Sequence, residues 1–230
     1  MPYFALIPAA GTGARMGAEA PKQYLPLAGS TLLHHSIRCV CAAPIETIFV
    51  VLAPDDKTYA TQDWSEFGPR LQPLFCGGAT RRDSVMNGLV AAMDAVDADD
   101  WVLVHDAARP CLPRADLDRL IAEVSGDQVG GLLALPVAET VKRVKKDEAG
   151  AHRVAGTEDR SLLWLAQTPQ MFRAGLLAEA LRIAGANVTD ESSAVERMGL
   201  QPRLVAGSRR NLKVTFPEDI AIAESMLERA

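Results

Sequence analysis

Residues 3–17, YFALIPAAGTGARMG, decide the fold. The apolar run Tyr3–Ala9 has the length and composition of a buried strand, and it leads directly into a glycine-rich loop, Ala10–Gly17. In α/β proteins such a loop after the first strand is where nucleotide phosphates usually lie, because glycine lets backbone N–H groups approach the anion. The stretch therefore predicts a nucleotide-binding α/β protein with its site at the end of the first strand.

The spacing within this loop excludes two common nucleotide-binding loops. The dinucleotide fingerprint G-x-G-x-x-G would need glycine where Met16 stands, and the Walker pattern also fails. What remains is a glycine loop that carries Arg15 and is followed by Lys22. A forked guanidinium and a compact ammonium beside such a loop indicate a polyphosphate ligand. The alternative is a tight turn with two solvated cations.

The chain beyond the loop alternates between apolar runs of strand length and segments with helical spacing. The predicted strands are Tyr3–Ala9, Thr47–Ala53, Leu71–Phe75, Trp101–His105 and Gly131–Pro136. The predicted helices are Thr31–Ala43, Asp55–Phe67, Arg81–Val96 and Arg114–Val124. Continuous apolar strands between helices predict an α/β fold with a Rossmann-like, mostly parallel twisted sheet and helices on both faces.

Residues 137–160 interrupt this alternation with a polar and charged stretch that is too long for an ordinary loop. Short β-like pieces flank Ala149 and Gly150, which predicts a projecting β-hairpin arm; a disordered surface insertion is the alternative. Regular structure then resumes with predicted strands Leu162–Ala166, Arg203–Val205 and Leu212–Val214 and helices Phe172–Ala184, Glu191–Met198 and Phe216–Glu228. We therefore expect residues 1–230 to form a single domain with 137–160 as its arm.

Composition narrows the class of protein. The 230 residues carry a formal net charge of −5 and no long basic run, which disfavours a nucleic-acid-binding role. No apolar run approaches the length of a membrane span, and the apolar start lacks the basic residues of a signal peptide. The four cysteines match no zinc or disulfide pattern, so we expect free thiols and a cytoplasmic location.

Several motifs in order along the chain resemble those of the 2-C-methyl-D-erythritol 4-phosphate cytidylyltransferases. The opening loop followed by PKQY at 21–24 carries the first part of the resemblance. The later matches are GG at 77–78, RDSV at 82–85, HDAARP at 105–110, TPQ at 168–170, TDE at 189–191, NLKVT at 211–215 and PED at 217–219. One glycine loop is a weak signal, but ordered matches from residue 8 to residue 219 are specific.

The resemblance implies the transfer of the cytidylyl group of CTP to methylerythritol 4-phosphate, with release of pyrophosphate. The acceptor phosphate would attack the α-phosphorus of CTP in line, with Mg²⁺ or another divalent cation as cofactor. The family also implies a homodimer in which the arm of one subunit reaches into the neighbouring site. A phosphate monoester is mostly dianionic at neutral pH, so positioned cations matter more here than a general base.

The resemblance also implies roles for individual residues. The catalytic cations would be Arg15, Lys22 and Lys213. The nucleotide would be bound by Pro8, Ala9, Ala10, Gly11, Gly13, Gly78, Ser84, Asp106 and Ala107. The acceptor would be bound by Arg109, Thr168 and Thr189 on the main body and by Thr140 and Arg160 on the arm. Asp106 suits either the metal or a ribose hydroxyl, and we favour the metal. His105 would point to the other side of its strand and is expected to be structural.

Other functions stay open at this stage. The nearest rival is a cytidylyltransferase that acts on ribitol 5-phosphate, which would share the glycine loop and Lys22. A sugar-1-phosphate nucleotidyltransferase is more distant because it lacks the later motifs. A non-catalytic nucleotide sensor is disfavoured by the complete set of Arg15, Lys22, Asp106 and Lys213. Ala79 and Thr80 depart from the more acidic residues common in the family, which would matter only if a side chain there selected cytosine.

Overall fold

A seven-stranded sheet forms the centre of the protein in a computed structural model that describes residues 1–11, 21–41, 44–185 and 188–228. In chain order the strands are β1 Tyr3–Pro8, β2 Pro26–Leu27, β3 Ser30–Thr31, β4 Thr47–Val51, β5 Leu71–Leu74, β6 Trp101–Val104, β7 Gly131–Pro136, β8 Lys142–Lys146, β9 His152–Thr157, β10 Trp164–Arg173 and β11 Arg203–Ala206. The order across the large sheet is β11–β7–β10–β6–β1–β4–β5, and β10 runs antiparallel to β6 and β7 while the other pairs are parallel. The predicted mostly parallel sheet is confirmed.

Helices cover both faces of the sheet. They are α1 Leu32–Cys41, α2 Arg81–Ala91, α3 Arg114–Val124, α4 Ala174–Ala184, α5 Glu191–Glu196 and α6 Glu218–Leu227. Alternate residues of β1 show the two layers, because Ala5 and Ile7 pack in one core with α1 and α3, whereas Phe4 and Leu6 pack in a second core with α2 and α4. The four cysteines are free. Among the described residues, no helix combines the length and the apolar character that a membrane span requires.

The predicted helix over Asp55–Phe67 is wrong. The segment holds two short 3₁₀ helices, Tyr59–Thr61 and Ser65–Arg70, after a turn at Asp56. The Asp56 carboxylate accepts the backbone N–H groups of Thr58 and Tyr59 at 2.9 and 3.0 Å. Such side-chain bonds to nearby amides compete with helix formation.

The boundaries after the arm also differ from prediction. The strand expected over 162–166 is β10, which extends to Arg173, so Phe172 lies in a strand and α4 begins at Ala174. Pairing on both sides, with β6 and β7, outweighs the helical spacing of these residues. The predicted strand 212–214 is absent; this segment has an irregular backbone and bonds through the Val214 N–H to the Ala108 carbonyl at 2.8 Å.

The arm forms a β-hairpin, as predicted. Strands β8 and β9 pair antiparallel in their own two-stranded sheet, and every residue of β8 is exposed. The base of the arm is tied to the main sheet by the Val137 N–H, which donates to the Leu163 carbonyl at 3.0 Å. Two further 3₁₀ helices in the described part of the chain are Lys22–Tyr24, which follows the glycine loop, and Arg160–Leu162, which ends the arm.

Candidate active site

Two cavities lie beyond the C-terminal ends of β1 and β6, where ligands bind in open α/β sheets. The larger has a volume of about 410 Å³ and the smaller about 250 Å³. Both are lined by Arg81, Asp106 and Lys213, so these three side chains form the wall between them. We call this set the shared wall.

The larger cavity brings together most of the residues predicted to bind the nucleotide. From that set it is lined by Pro8, Ala9, Ala10, Gly11, Gly78, Ser84, Asp106 and Ala107, and it is also lined by the predicted catalytic lysines Lys22 and Lys213. Gly13, predicted to bind the nucleotide, and Arg15, predicted as a catalytic cation, lie outside the described residues. Segments from four distant parts of the chain therefore meet at one cavity.

Two glycines let the nucleotide-side loops pack closely. A Cβ at Gly77 would lie 2.2 Å from the Ala10 Cβ, and one at Gly78 would lie 2.5 Å from the Asp83 Cβ. The Gly78 N–H donates to the Ser84 hydroxyl at 3.1 Å, and that hydroxyl donates to the Thr80 carbonyl at 3.0 Å. Ser84 thus holds the loop on the first turn of α2.

Lys22 links the first loop to the far end of the chain. Its Nζ donates to the backbone carbonyl of Val214, next to Lys213. The neighbouring Gln23 is buried and donates to the Ala9 carbonyl at 2.7 Å. These bonds place both predicted lysines on the larger cavity.

Asp106 is the centre of the shared wall. It lies two residues beyond the end of β6, is 7% exposed, and meets Arg81 Nε through Oδ1 at 3.0 Å and Lys213 Nζ through Oδ2 at 2.7 Å. Arg109 Nε lies 3.7 Å from Oδ2. Burial raises the pKa of Asp106, but the positive charges of Arg81, Lys213 and Arg109 outweigh it, so the pKa falls far below its usual range and the group is ionised.

Arg81, a member of the shared wall, and its ion-pair partner Glu191 were not among the predicted site residues. Arg81 donates to the two oxygens of Glu191 at 2.6 and 3.0 Å. Burial lowers the pKa of Arg81, but the negative charges of Glu191 and Asp106 raise it by more, so the pKa lies above its usual value. Burial raises the pKa of Glu191, opposed by the charge of Arg81. The signal in the sequence was a pair of arginines opening a helix, Arg81 and Arg82, but nothing local tells which of them faces the strand ends.

The smaller cavity gathers the main-body residues predicted for the acceptor, Arg109, Thr168 and Thr189, together with the predicted catalytic Lys213. Arg109 donates to the Asn211 carbonyl at 2.7 Å, and burial lowers its pKa. The Thr168 hydroxyl accepts the Asp106 N–H at 3.0 Å, because β10 shifts register between Ala166 and Gln170 and turns this side chain toward β6. The cavity also contains Gln167, Gln170 and Asp190, which were not predicted.

Comparisons with known proteins show which family this chain resembles. A sequence model of the 2-C-methyl-D-erythritol 4-phosphate cytidylyltransferase family matches residues 3–229. The chain belongs to this family. A member from Laribacter hongkongensis is 58% identical, covering 97% of this chain and 95% of its own, and one from Azoarcus is 55% identical, covering 98% and 94%. A crystal structure of 4-diphosphocytidyl-2C-methyl-D-erythritol synthase superposes with a TM-score of 0.85 at 39% identity, covering 99% of this chain and all of its own. The chain is therefore a nucleotidyltransferase of the cytidylyltransferase family.

His105 lies beside the site of this cytidylyltransferase and has a structural role there. It is fully buried, with Nε2 3.0 Å from the Arg109 carbonyl and Nδ1 3.2 Å from the Thr168 hydroxyl. A carbonyl only accepts, so Nε2 carries the proton and Nδ1 accepts from the hydroxyl. Burial lowers the pKa of His105 to about 4, which leaves the ring neutral and bound to its neighbours at neutral pH.

The two arm residues that the family resemblance assigned to the acceptor lie apart from both cavities in the single chain. Thr140 and Arg160 are exposed, and neither lines either cavity. Arg160 Nη1 donates to the Ala138 carbonyl at the base of the arm. One subunit by itself therefore gathers only the main-body share of the predicted acceptor site.

The carboxylates that line the cavities are the side chains that could ligate a metal ion. No group of three or more His, Cys, Asp or Glu suited to a metal occurs in the described ranges. The larger cavity is lined by one carboxylate, that of Asp106. Mg²⁺ is usually held by one or two carboxylates together with substrate phosphates rather than by a full protein cage. The donor set thus fits a metal that arrives with a nucleotide triphosphate.

Proposed function

We propose that this chain transfers the cytidylyl group of CTP to 2-C-methyl-D-erythritol 4-phosphate, giving 4-diphosphocytidyl-2-C-methyl-D-erythritol and pyrophosphate. The observation that carries the proposal is the pair of cavities joined at the shared wall. Glycine-rich segments line the larger cavity, and arginine and threonine side chains line the smaller. A nucleotide in the first and a phosphorylated polyol in the second would meet at Asp106 and Lys213.

The reaction needs charge stabilisation more than proton transfer. The acceptor's phosphate oxygen attacks the α-phosphorus of CTP, a P–O bond forms there, and the bond to pyrophosphate breaks. The attacking monoester is already mostly dianionic, so the proposed reaction needs no general base, and His105 stays bound to Arg109 and Thr168. Lys22, Lys213 and Arg15 are proposed to stabilise the charge that builds on the α-phosphate and the leaving group.

Asp106 is the residue that would hold Mg²⁺, with the triphosphate supplying further oxygen ligands. A bound metal would neutralise charge on the triphosphate. The chain's own part is to keep the Asp106 carboxylate ionised beside Arg81, Lys213 and Arg109. A ribose hydroxyl is the other ligand that this carboxylate could accept.

Cytosine is proposed to lie against the loop of Gly77 and Gly78. Backbone carbonyls there would accept hydrogen bonds from the amino group that distinguishes cytosine from uracil. Glycine at both positions is set by the close contacts with Ala10 and Asp83, so the main chain rather than a side chain faces the ligand. On this proposal, Ala79 and Thr80 have little influence on the choice of base.

The arm is proposed to complete the acceptor site of a second copy of the chain. Thr140 and Arg160 would contact the acceptor phosphate and hydroxyls across a homodimer. Residues 1–230 would form one nucleotidyltransferase domain, with 137–160 as the dimerisation arm. We further propose a cytoplasmic enzyme that binds neither membrane nor nucleic acid.

A substrate panel tests the proposed function. CTP, UTP and ATP are each incubated with methylerythritol 4-phosphate or ribitol 5-phosphate, with and without Mg²⁺, and pyrophosphate release is measured. We expect turnover with CTP and methylerythritol 4-phosphate only, and only when the divalent cation is present. A preference for ribitol 5-phosphate would overturn the acceptor, and metal-independent turnover would overturn the role of Mg²⁺.

A further inference from the structure

Glu191 is a buried carboxylate for which the proposed chemistry has no use. It is the first residue of α5 and is 1% exposed. Its two oxygens accept from Arg81 Nη1 and Nη2, which lie 110 residues away in the chain. A buried anion is costly unless its charge is matched at close range, and Arg81 supplies that match.

Arg81, a member of the shared wall, connects the Glu191 carboxylate to the Asp106 carboxylate. Three of the five guanidinium N–H groups are used, two on Glu191 and one, from Nε, on Asp106 Oδ1 at 3.0 Å. The guanidinium is planar, so once its two terminal nitrogens are fixed by Glu191 the direction of the Nε–H is fixed as well. The fork therefore determines where Asp106 Oδ1 lies.

The two oxygens of Asp106 then have unequal partners. Oδ1 meets Arg81, whose guanidinium is anchored by a nearly inaccessible carboxylate. Oδ2 meets the ammonium of Lys213, whose side chain is 41% exposed and rises from a segment with irregular backbone. Of the two cations, Lys213 is the one with freedom to exchange its carboxylate partner for a substrate phosphate.

We propose that Glu191 is a positioning residue that acts through Arg81: it locks Asp106 Oδ1 in place, so that only the Oδ2 side of the shared wall rearranges when substrates bind. Arg81 keeps two N–H groups for the ligands of the adjoining cavities. This inference rests on the proposed function, because it assigns the pair to the step in which nucleotide and acceptor meet.

Three variants test the proposal: Glu191→Gln, Arg81→Lys and the double variant. Gln keeps the size of the side chain but loses its charge, and Lys keeps the charge but lacks the planar fork that fixes the direction of the Nε–H. We expect each single change to lower kcat/KM by about 10- to 100-fold, with most of the loss in kcat. The kcat/KM of the double variant should be no lower than that of the less active single variant, because both substitutions break the same Arg81–Glu191 pair. Glu191→Asp should restore part of the loss.

Glu179→Gln is the matched control, since Glu179 makes a second two-oxygen pair, with Arg182, on the exposed face of α4. It should leave kcat/KM unchanged. Unfolding temperatures of all variants separate misfolding from mispositioning, and Arg81→Lys keeps the test valid if Glu191→Gln fails to fold. Wild-type kcat/KM in either folded single variant, or losses that multiply in the double variant, would overturn the proposal.

Calorimetric binding of CTP separates this inference from the proposed function. If the wild type binds CTP and turns over ribitol 5-phosphate instead of methylerythritol 4-phosphate, the proposed acceptor fails, while the pair is still tested by comparing kcat with ribitol 5-phosphate against the CTP dissociation constant. We expect Glu191→Gln to weaken CTP binding by less than it lowers kcat. An effect confined to CTP affinity would make the pair a binding element and contradict the positioning role.

Discussion

The shared wall and the arm both carry charged groups for the proposed reaction, but the chain holds them in opposite ways. Asp106 and Glu191 are buried, and three cations lie within 4 Å of Asp106. Strand β8 of the arm is exposed along its whole length, and the ion pairs of the hairpin, Arg143 with Glu158 and Arg153 with Asp147, lie at the surface.

This difference separates what one chain can organise from what it cannot. Buried charges must be matched by several close partners, and a wall built that way is fixed before any substrate arrives. Exposed ion pairs contribute little to the free energy of folding, so they do not set the direction of the arm relative to the wall. The wall should therefore work through preorganisation, and the arm should need a partner.

The largest expected effect comes from a cation beside the wall. Lys22→Ala removes a charge that is held on the larger cavity by the Val214 carbonyl. Loss of one preorganised group that stabilises transition-state charge should lower kcat by about 10²- to 10³-fold. Pyrophosphate release measures kcat, and thermal unfolding should show an intact fold.

Lys142→Ala is the control for that experiment. Lys142 is an exposed lysine of the arm that donates to Thr157 within the hairpin. Its removal should leave kcat unchanged. If both lysine variants lose activity equally, the distinction between wall and arm is wrong.

The pH dependence of the free energy of unfolding gives a second, smaller contrast, between a histidine beside the wall and one on the arm. The pKa of buried His105 is lowered to about 4. In the unfolded chain its pKa is near 6.5, so as the pH falls below 6.5 the unfolded state takes up a proton that the folded state refuses. The free energy of unfolding should drop by about 3 kcal/mol from this group between pH 6.5 and pH 4. Urea denaturation in EDTA measures this slope.

His105→Asn should flatten the slope over that pH range, whatever its effect on stability at neutral pH. His152→Asn, at an exposed position of the arm, should leave the slope as in the wild type. Equal slopes in the wild type and His105→Asn would mean that burial does not hold this ring neutral.

The sequence supported predictions wherever a local pattern carried the information. Strand β1 and Asp106 after β6 follow from short stretches, since the carboxyl ends of parallel strands share one edge of a sheet. The pair of Arg81 with Glu191 joins residues far apart in the chain, so no spacing indicates it. The failed helix over 55–67 shows the reverse, because an aspartate turn cancelled a helical pattern.

The residues assigned by resemblance divide along the same line. Those on the main body, such as Lys213 and Thr168, line one cavity because both contact Asp106: the Thr168 hydroxyl accepts the Asp106 N–H, and Lys213 Nζ meets Oδ2. Thr140 and Arg160 do not, because the arm is a separate hairpin and a single chain offers nothing that brings it to the cavities. Their role stays a prediction that only an assembly of two copies can test.

Subunit mixing gives that test. Arg160→Ala alone should lower kcat/KM for methylerythritol 4-phosphate by about 10- to 100-fold, the usual loss for one charge-assisted hydrogen bond. If the site is shared, one subunit supplies its Lys22 and the other subunit supplies its Arg160. A hybrid dimer of the two variants then contains one site in which both Lys22 and Arg160 are intact.

Mixed and re-equilibrated at equal concentration, the two weak variants should recover about a quarter of wild-type activity, because half of the dimers are hybrids with one good site of two. Each variant mixed with itself is the control and should stay weak. Recovery requires that the arm acts in trans, since a site built within one chain would leave both damaged subunits damaged. No recovery, with hybrids demonstrated by native mass spectrometry, would place Arg160 in the same subunit as Lys22 or outside the site. The active site would then be built within one chain, and the arm would be a surface hairpin.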